Sequence, residues 1–518
     1  MDKKARMKYL FSIGLLFTAI QGIKAQPALQ WQRCFGGTQY ECPFDLQATQ
    51  DGGCVGVGIS LSSNGDVGGN FGVNDIWVVK INSEGQLEWE TNLGGSKDER
   101  GYTVLATEDN GYLVGGFTES NDTQVSGNHG DKDGWIVKLN AFGVLLWQKC
   151  YGGSKSDIIQ SICKTSDGGY LVAAESGSSD GDVPANFGGS DYWIFKMDSE
   201  GQILWSKNYG GSNQDQPYCI SVKEDGFIYV AGKTSSVDGN ITAPKGGEDT
   251  WVLKLNNSGD LVWQKSLGGS TLDYGTDIVH TPEGEILILS TVYSSNGDVT
   301  GHHGGMDIWI AALNQAGELQ WQKSFGGSAD DSGQAMVILE DLGIAIMGTT
   351  ESTNGDVIGN DGGIDFWIIK VDSDGNLLWQ KSMGGTLDET GQCIVQLTDG
   401  GIAITGRTRS NNGDISGNHG SSDFWVAKFA PETSSTQTPA AIPLNLYPNP
   451  ATQWITLNLP IIEQNMQVSI TDEQGRLLQT RSIRTDEKLD IAALPLGVYW
   501  VSAVSKSGQV YAGKFVKG

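Results

Sequence analysis

Two series of tryptophans govern what this chain can become. Trp31, Trp89, Trp147, Trp205, Trp263, Trp321 and Trp379 stand 58 residues apart, and Trp77, Trp135, Trp193, Trp251, Trp309, Trp367 and Trp425 keep the same step. A period held seven times without insertion between the tryptophans marks one supersecondary unit repeated seven times. In residues 94–153 the unit reads as four apolar-alternating runs, YTVLATED, YLVGGFTES, GWIVKLN and VLLWQK. They are divided by Asn110-Gly111, a long polar loop and Ala141-Phe142-Gly143. The period is two, with no helical 3.6 pattern, so each unit is four short strands. The 73 glycines, twice the usual ~7%, supply the turns, and 38% hydrophobic residues supply a core. Sevenfold four-stranded units predict an all-β chain built as a seven-bladed β-propeller.

The ends of the array sharpen that expectation. An orphan fourth strand, LQWQRCFGG at residues 29–37, precedes the first unit, and the last unit stops after its third strand, DFWVAKF at 423–429. Joining the two ends completes the seventh blade and removes both exposed edges. The rival is a linear β-solenoid, which needs polar capping repeats that the sequence lacks. The propeller therefore spans 26–429, with the tryptophans packing between blades.

Residues 1–8 are basic, Tyr9 to Ile20 are apolar, and small and polar residues follow to Ala25, the pattern of a signal peptide covering 1–25. That apolar run is shorter than the ~20 residues of a membrane-spanning helix, and no second one follows, so the mature chain is expected to lack a transmembrane span. Cys34 lies too far from Ala25 to be a lipidated N-terminal residue. The seven cysteines show no CxxC or Cys/His spacing. Cys54 and Cys163 occupy positions where sister repeats carry Tyr, Ile, Leu or Val, so they are expected to be small buried apolar residues.

After Phe429 the composition changes: a Ser/Thr/Pro linker covers 430–442, and a separate small β-sandwich of alternating strands covers 443–518. Its motifs come in a fixed order: Tyr447-Pro448-Asn449-Pro450-Ala451, then Val468-Ser469-Ile470-Thr471-Asp472 with Gly475-Arg476, Leu496-Gly497-Val498-Tyr499, and Lys514-Phe515-Val516-Lys517. Together they resemble the type A C-terminal sorting domain of the type IX secretion system of Bacteroidota. The resemblance implies passage to the periplasm by the signal peptide, then export across the outer membrane by the type IX machinery as partner, with the product secreted or surface-anchored.

The formal net charge is −27, and residues 443–518 are close to neutral with 7 basic and 6 acidic side chains, so the acidity belongs to the propeller. Such a surface repels phosphate backbones, which excludes nucleic acid as a partner. Three acidic columns recur at the 58-residue step. Glu41, Glu99, Asp157, Asp215, Asp273, Asp331 and Glu389 follow a Gly-Gly pair. Asp75, Asp133, Asp191, Asp249, Asp307, Asp365 and Asp423 precede the third-strand tryptophan. Asp66, Asp182, Asp298, Asp356 and Asp414 sit in the long loop, with Gln124 and Asn240 in the other two units. All belong to one face of the ring, a tentative ligand or cation face. Clustered oxygens suit Ca²⁺, while an Asp at the start of a strand also fixes a turn by accepting loop N–H bonds, and that structural reading is the stronger.

His129, His303 and His419 share a loop position in units too far apart for one metal ion and are expected to be exposed; His302 adjoins one of them, and His280 stands apart. Segments such as GNLLWQK and GQILWSK resemble the tryptophan-docking segments of quinoprotein propellers, but no adjacent cysteine pair or cofactor site accompanies them. No nucleophile elbow, zinc helix or phosphate loop occurs, and sevenfold carboxylates single out no catalytic pair. The expectation is no catalytic residue, no cofactor and no metal, and a monomeric exported propeller that binds or displays at the cell surface, with a glycan or protein ligand. The alternatives are an extracellular polysaccharide hydrolase or lyase, and a passive structural surface protein. One dominant pocket that breaks the sevenfold symmetry would mark a catalytic propeller, and shallow sites repeated around the ring a multivalent binder.

Overall fold

The computed structural model describes residues 26–360, 362–432, 442–458, 466–472, 477–484, 488–504 and 510–518. The expected signal peptide lies outside them. Two compact units divide the chain, one ending at Glu432 and the other holding the C-terminal residues from Thr433 on.

The first unit consists of seven four-stranded antiparallel sheets. In the first blade the strands are Glu41–Ala48, innermost, then Cys54–Ser60, Asp75–Ile81 and Leu87–Leu93 at the rim. The turn between the third and outer strands is set by Asn82, whose Oδ1 accepts from the N–H groups of Glu84 and Gln86 at 3.1 and 2.8 Å. Gly85 completes it at φ 78°, a left-handed conformation that costs glycine little. Every inner strand carries a β-bulge at the same place, between Pro43 and Asp45 in blade one and between Gly101 and Thr103 in blade two. A bulge bends and twists its strand, which suits one that must turn along the ring's axis.

Ring closure follows the register of the sequence. Leu29–Phe35 pairs antiparallel with Asp423–Phe429, completing the seventh sheet and excluding a linear solenoid. The tryptophans confirm it chemically. Each third-strand indole is wholly buried, and its N–H bonds to a side chain thirteen residues on, as Trp135 does to Gln148 Oε1 at 2.7 Å. Trp425 has no residue of its own outer strand to reach and donates instead to Gln32 Oε1, also at 2.7 Å.

Apolar packing lies between blades rather than within them. One cluster joins Val57 and Val78 of blade one to Trp135 and Val137 of blade two, and another joins Phe424 and Val426 of blade seven to Trp77 and Val79 of blade one. Burying ~200 Å² of indole contributes at most roughly 5 kcal/mol. The outer-strand tryptophans lie over the next blade's turn: a Cβ on Gly143 would come within 2.6 Å of the Trp89 ring. At the same ends of the strands buried lysines hold the turns between inner and second strands, with Lys80 2.8 Å from Asp51 and Lys370 2.7 Å from Asp341.

The first three linker residues, 430–432, belong to this unit. Ala430 donates to Ala28 O, and Glu432 accepts from Trp379 Nε1 at 2.8 Å. All seven cysteines are free thiols, with Cys54 buried in an interblade cluster.

The C-terminal unit packs a five-stranded sheet and a three-stranded sheet around Leu446, Ile455, Val468, Ile470, Tyr499, Val501 and Phe515. Its central strands are Met466–Asp472, Gly497–Val504 and Val510–Lys517. The last of these also takes the short Ile442–Pro443 strand in parallel.

Candidate functional site

On the long-loop face of the propeller, the first acidic column is wholly buried. In every blade its carboxylate accepts from the second glycine of the Gly-Gly pair, from Gly95 N to Glu99 at 2.7 Å and from Gly37 N to Glu41 at 2.9 Å. The N–H groups of Gly153, Gly211, Gly269, Gly327 and Gly385 do the same for Asp157, Asp215, Asp273, Asp331 and Glu389. A hydroxyl adds a second bond: Thr118 to Glu99 at 2.8 Å, Thr408 to Glu389 at 2.9 Å, and Ser294 to Asp273 at 2.6 Å where Val292 replaces the usual Ser or Thr. These side chains pin the interblade loop to the second strand.

The loop column ties the first glycine of each pair. Asp66 Oδ2 accepts from Gly36 N at 3.1 Å while its own N–H returns a bond to Gly36 O at 2.9 Å. Asp182, Asp298 and Asp356 accept likewise, and Asp414 N bonds to Gly384 O at 2.8 Å. Gln124 and Asn240 do it with amide oxygens, at 2.9 and 3.0 Å. The position needs an acceptor oxygen, with or without charge.

The third-strand column is different. Asp75 Oδ2 accepts from Phe71 N at 2.5 Å, but its Oδ1 is buried without a hydrogen-bond partner, and so are those of Asp133, Asp191, Asp249, Asp307 and Asp423. Each lies beside the first-column carboxylate of the next blade: a Cβ on Gly94 would sit 2.6 Å from Asp75 Oδ1 and 2.8 Å from Glu99 Oε2. Only a glycine fits between them. Burial, and secondarily the Glu99 charge, push the Asp75 carboxyl up to about 7. Burial and Asp215 do the same to Asp191, and Asp423 is raised to about 6.

His129, His303 and His419 are half-exposed, and each Nδ1 reaches the Oδ2 of this column, at 2.6, 2.9 and 2.5 Å from Asp133, Asp307 and Asp423. His302 Nε2 lies 3.0 Å from Gly305 O. His280 sits apart beside the Tyr229 ring at 4.7 Å, and burial lowers its imidazole to about 4.

A Ca²⁺ ion asks for ~6–8 oxygens. The first and loop columns give theirs to backbone N–H and hydroxyl donors, and among the described residues no three His, Cys, Asp or Glu side chains gather as a metal site.

Where the sevenfold pattern breaks, a cavity of about 460 Å³ opens between blades seven, one and two. Its lining is Tyr40, Cys42, Phe44, Ile59, Leu61 and Asn74 from blade one with its preceding loop, Arg100 from blade two, and Thr390, Gln392 and Arg407 from blade seven. No carboxylate is among them. Arg407 donates through Nη1 to Tyr40 Oη at 3.1 Å and through Nη2 to Thr390 Oγ1 at 3.2 Å, and its guanidinium lies 5.6 Å from the Tyr40 ring centre. Arg100 is neutralised by Asp98 at 3.1 Å. Burial pushes the Cys42 thiol up, away from the thiolate. None of these residues was singled out from the sequence, because their types recur in no column. The available signal was rarity: residues 26–429 hold four arginines, and two of them line this cavity.

In the C-terminal unit the first and last motifs meet. Asn449 Nδ2 donates to Lys514 O at 3.0 Å, and Val516 N donates to Asn449 Oδ1 at 2.9 Å, so one amide imitates a strand partner. Pro448 and Pro450 flank that asparagine, and the exposed Tyr447 ends the Asn445–Tyr447 strand. Tyr499, two residues after Gly497, stacks on Phe515 at 5.5 Å and donates to Pro495 O at 2.8 Å. Gly475 lies outside the described residues.

Residues 445–517 match the secretion system C-terminal sorting domain family. This unit is a sorting domain. With it the chain is exported by type IX secretion to the cell surface or the extracellular space, and the sorting domain is its point of interaction with that machinery. The regulatory protein FlaEY of Caulobacter vibrioides is 25% identical over 218 residues, which are 38% of this chain and 22% of FlaEY. The chain thus matches about a fifth of that relative's length. Among solved structures, the Pan2 WD40 domain of Neurospora crassa is similar with a TM-score of 0.43 and 11% identity, over 78% of this chain and 97% of its own. BBS1N in complex with ARL6DN gives 0.45 and 11%, over 81% and 100%. Puromycin hydrolase gives 0.43 and 12%, over 95% and 63%. At these scores none of them bears on ligand or chemistry.

Proposed function

We infer that the exported propeller is a non-catalytic recognition module that takes a glycan ligand at the cavity between blades seven, one and two. The observation that carries this reading is the contrast between the first and loop acidic columns, whose bonds turn inward to the loops, and an asymmetric cavity lined by aromatic, amide, hydroxyl and guanidinium groups. Half of the lining side chains are aromatic or apolar and half are polar, and the polar ones can fix the orientation of a ligand. A catalytic propeller would also have an asymmetric pocket, but glycoside hydrolysis needs a pair of carboxyl groups across the scissile bond, and this lining holds none. The side chains in it that could act as nucleophiles, the Cys42 thiol and the Thr390 and Tyr40 hydroxyls, have no histidine or carboxylate base among the lining residues.

Titrating the mature chain against an array of polysaccharides and surface glycans tests the reading. Selective binding is expected, to be lost on filling the cavity with Thr390→Phe while the melting temperature holds. Cleavage of a bound glycan would favour the hydrolase or lyase instead, and an array without a single ligand would favour passive display.

A further inference from the structure

We propose that the cavity between blades seven, one and two recognises a carboxylate carried by an acidic saccharide, with Arg407 as the residue that receives it; this rests on the reading that the cavity is the ligand site. Of the four arginines in residues 26–429, Arg100 and Arg409 pair with Asp98 and Asp388, both at 3.1 Å. Arg407 has no carboxylate partner among the described residues. Two of its five N–H protons go to Tyr40 and Thr390, and Nε has no acceptor at all. A guanidinium withdrawn from water is stabilised by a planar two-oxygen anion, which its fork fits bidentately.

The missing charge has a visible origin in the repeat. In the position just before the inner strand, blades two, six and seven carry Asp98, Asp330 and Asp388, and blade one carries Tyr40. The residue that faces Arg407 across the blade junction is therefore a phenol. Tyr40 and Thr390 hold the guanidinium in place, so a ligand need not order it.

The rest of the wall fits a sugar. Phe44, Ile59 and Leu61 supply apolar surface for the C–H groups of a pyranose, while the Gln392 amide, with Asn74 and Thr390 in the same lining, supplies the kind of donor and acceptor that hydroxyls use. A peptide C-terminus is the competing source of a carboxylate, but it is usually captured by successive backbone N–H groups. Here the backbone of the wall is engaged in strand ladders, with Cys42 paired to Ile59 and Thr390 to Arg407.

The test is calorimetric titration of the mature chain with an oligosaccharide ending in glucuronic acid, its neutral glucose-ended counterpart, and a short peptide with free or amidated C-terminus. The acidic saccharide is expected to bind, the neutral one to bind roughly tenfold or more weakly, and Arg407→Gln to remove that difference. Arg409→Gln, which loses an exposed pair elsewhere, should leave it intact. Melting curves of both variants separate lost recognition from lost fold. Equal binding of the two saccharides, unaffected by Arg407→Gln, would overturn the carboxylate inference and leave the glycan-binding reading standing. Binding of the free-ended peptide alone would overturn the saccharide assignment. If no saccharide binds, on the array or here, both readings fall.

Discussion

The rim of acidic columns on the long-loop face and the cavity between blades seven, one and two are built on the same repeat, yet they obey opposite rules. On the rim the same bonds recur around the ring: Glu41, Glu99 and Asp215 each accept from a glycine N–H and from a hydroxyl of the second strand, Ser60, Thr118 and Thr234. In the cavity nothing recurs, since the position of Arg407 is Ile59, Phe117, Glu175, Lys233, Thr291 and Thr349 elsewhere. A feature present in every blade answers a demand every blade makes, and the demand here is to close a loop of backbone N–H groups away from water. Recognition of one ligand calls for the reverse, a place where the copies differ.

The largest effect should come from breaking a rim carboxylate. Glu99→Ala leaves Gly95 N and Thr118 Oγ1 without their acceptor in a buried site, while Ser120 N keeps only its bond to Thr118 Oγ1. Unsatisfied buried donors cost ~1–3 kcal/mol each, partly relieved by water, so a loss of about 3–5 kcal/mol is expected, measured by chemical denaturation. Asp215→Ala should behave alike in blade four. A large loss in one blade and none in the other would mean that the rim carries a blade-specific role after all.

Next comes the third-strand column, where the comparison acquires a pH dependence. An Asp is near 4 in the unfolded chain, and Asp75 is near 7 in the folded one. The folded state therefore holds the extra proton between those values. The stability this contributes is fully present below about pH 4 and is lost as pH rises through about 7. Facing Asp75 are the Glu99 carboxylate, the N–H of Phe71 and the Gly94 Cα, none of which can neutralise Oδ1. Asp75→Asn places a neutral group there at all pH values. The melting temperature of the variant minus that of the wild type should become more positive from pH 4 to pH 8. A difference independent of pH would show that Asp75 titrates as an ordinary carboxyl.

How much of this was visible in the chain depends on whether the feature repeats. The tryptophan step announced seven blades, and the orphan strand at 29–37 announced the closing pair with 423–429. The sorting domain was legible from motifs, though not the way Asn449 stitches the first motif to the last. The acidic columns were visible as columns, but nothing in a sequence tells which carboxylate oxygens point inward, so a cation face and a loop clasp looked alike until Gly37 and Ser60 were seen beside Glu41. The cavity was illegible for a different reason. Tyr40 and Arg407 are 367 residues apart and meet only because the ring closes. Their chemistry departs from the repeat, so every argument from periodicity passes over them.

A smaller effect should follow from neutralising the loop column. Asp66 serves Gly36 N through one oxygen, as Asn240 already serves Gly210 N with an amide. Asp66→Asn should change stability by less than about 0.5–1 kcal/mol, far below Glu99→Ala, because the acceptor survives and only a partly exposed charge is lost. A loss comparable with Glu99→Ala would mean that the charge at Asp66 matters beyond the bond to Gly36.

The smallest effect is the one expected of calcium. The rim gathers more carboxylates than any other part of the molecule, so on charge alone it should draw divalent cations, and a bound ion would stabilise the folded chain in proportion to its occupancy. Against this stands the geometry: a ligating oxygen must turn a lone pair to the metal, and the first-column oxygens are already turned to Gly N–H and Ser or Thr hydroxyls, while the Asp75 oxygen is closed in by the Gly94 Cα. Diffuse attraction without coordination raises the melting temperature little and equally for Ca²⁺ and Mg²⁺. Millimolar Ca²⁺ is therefore expected to give the same small shift as Mg²⁺ at matched ionic strength. A selective rise with Ca²⁺, abolished by Asp66→Asn, would return the loop column to the binding face and make the rim, rather than the cavity, the first place to look for a ligand.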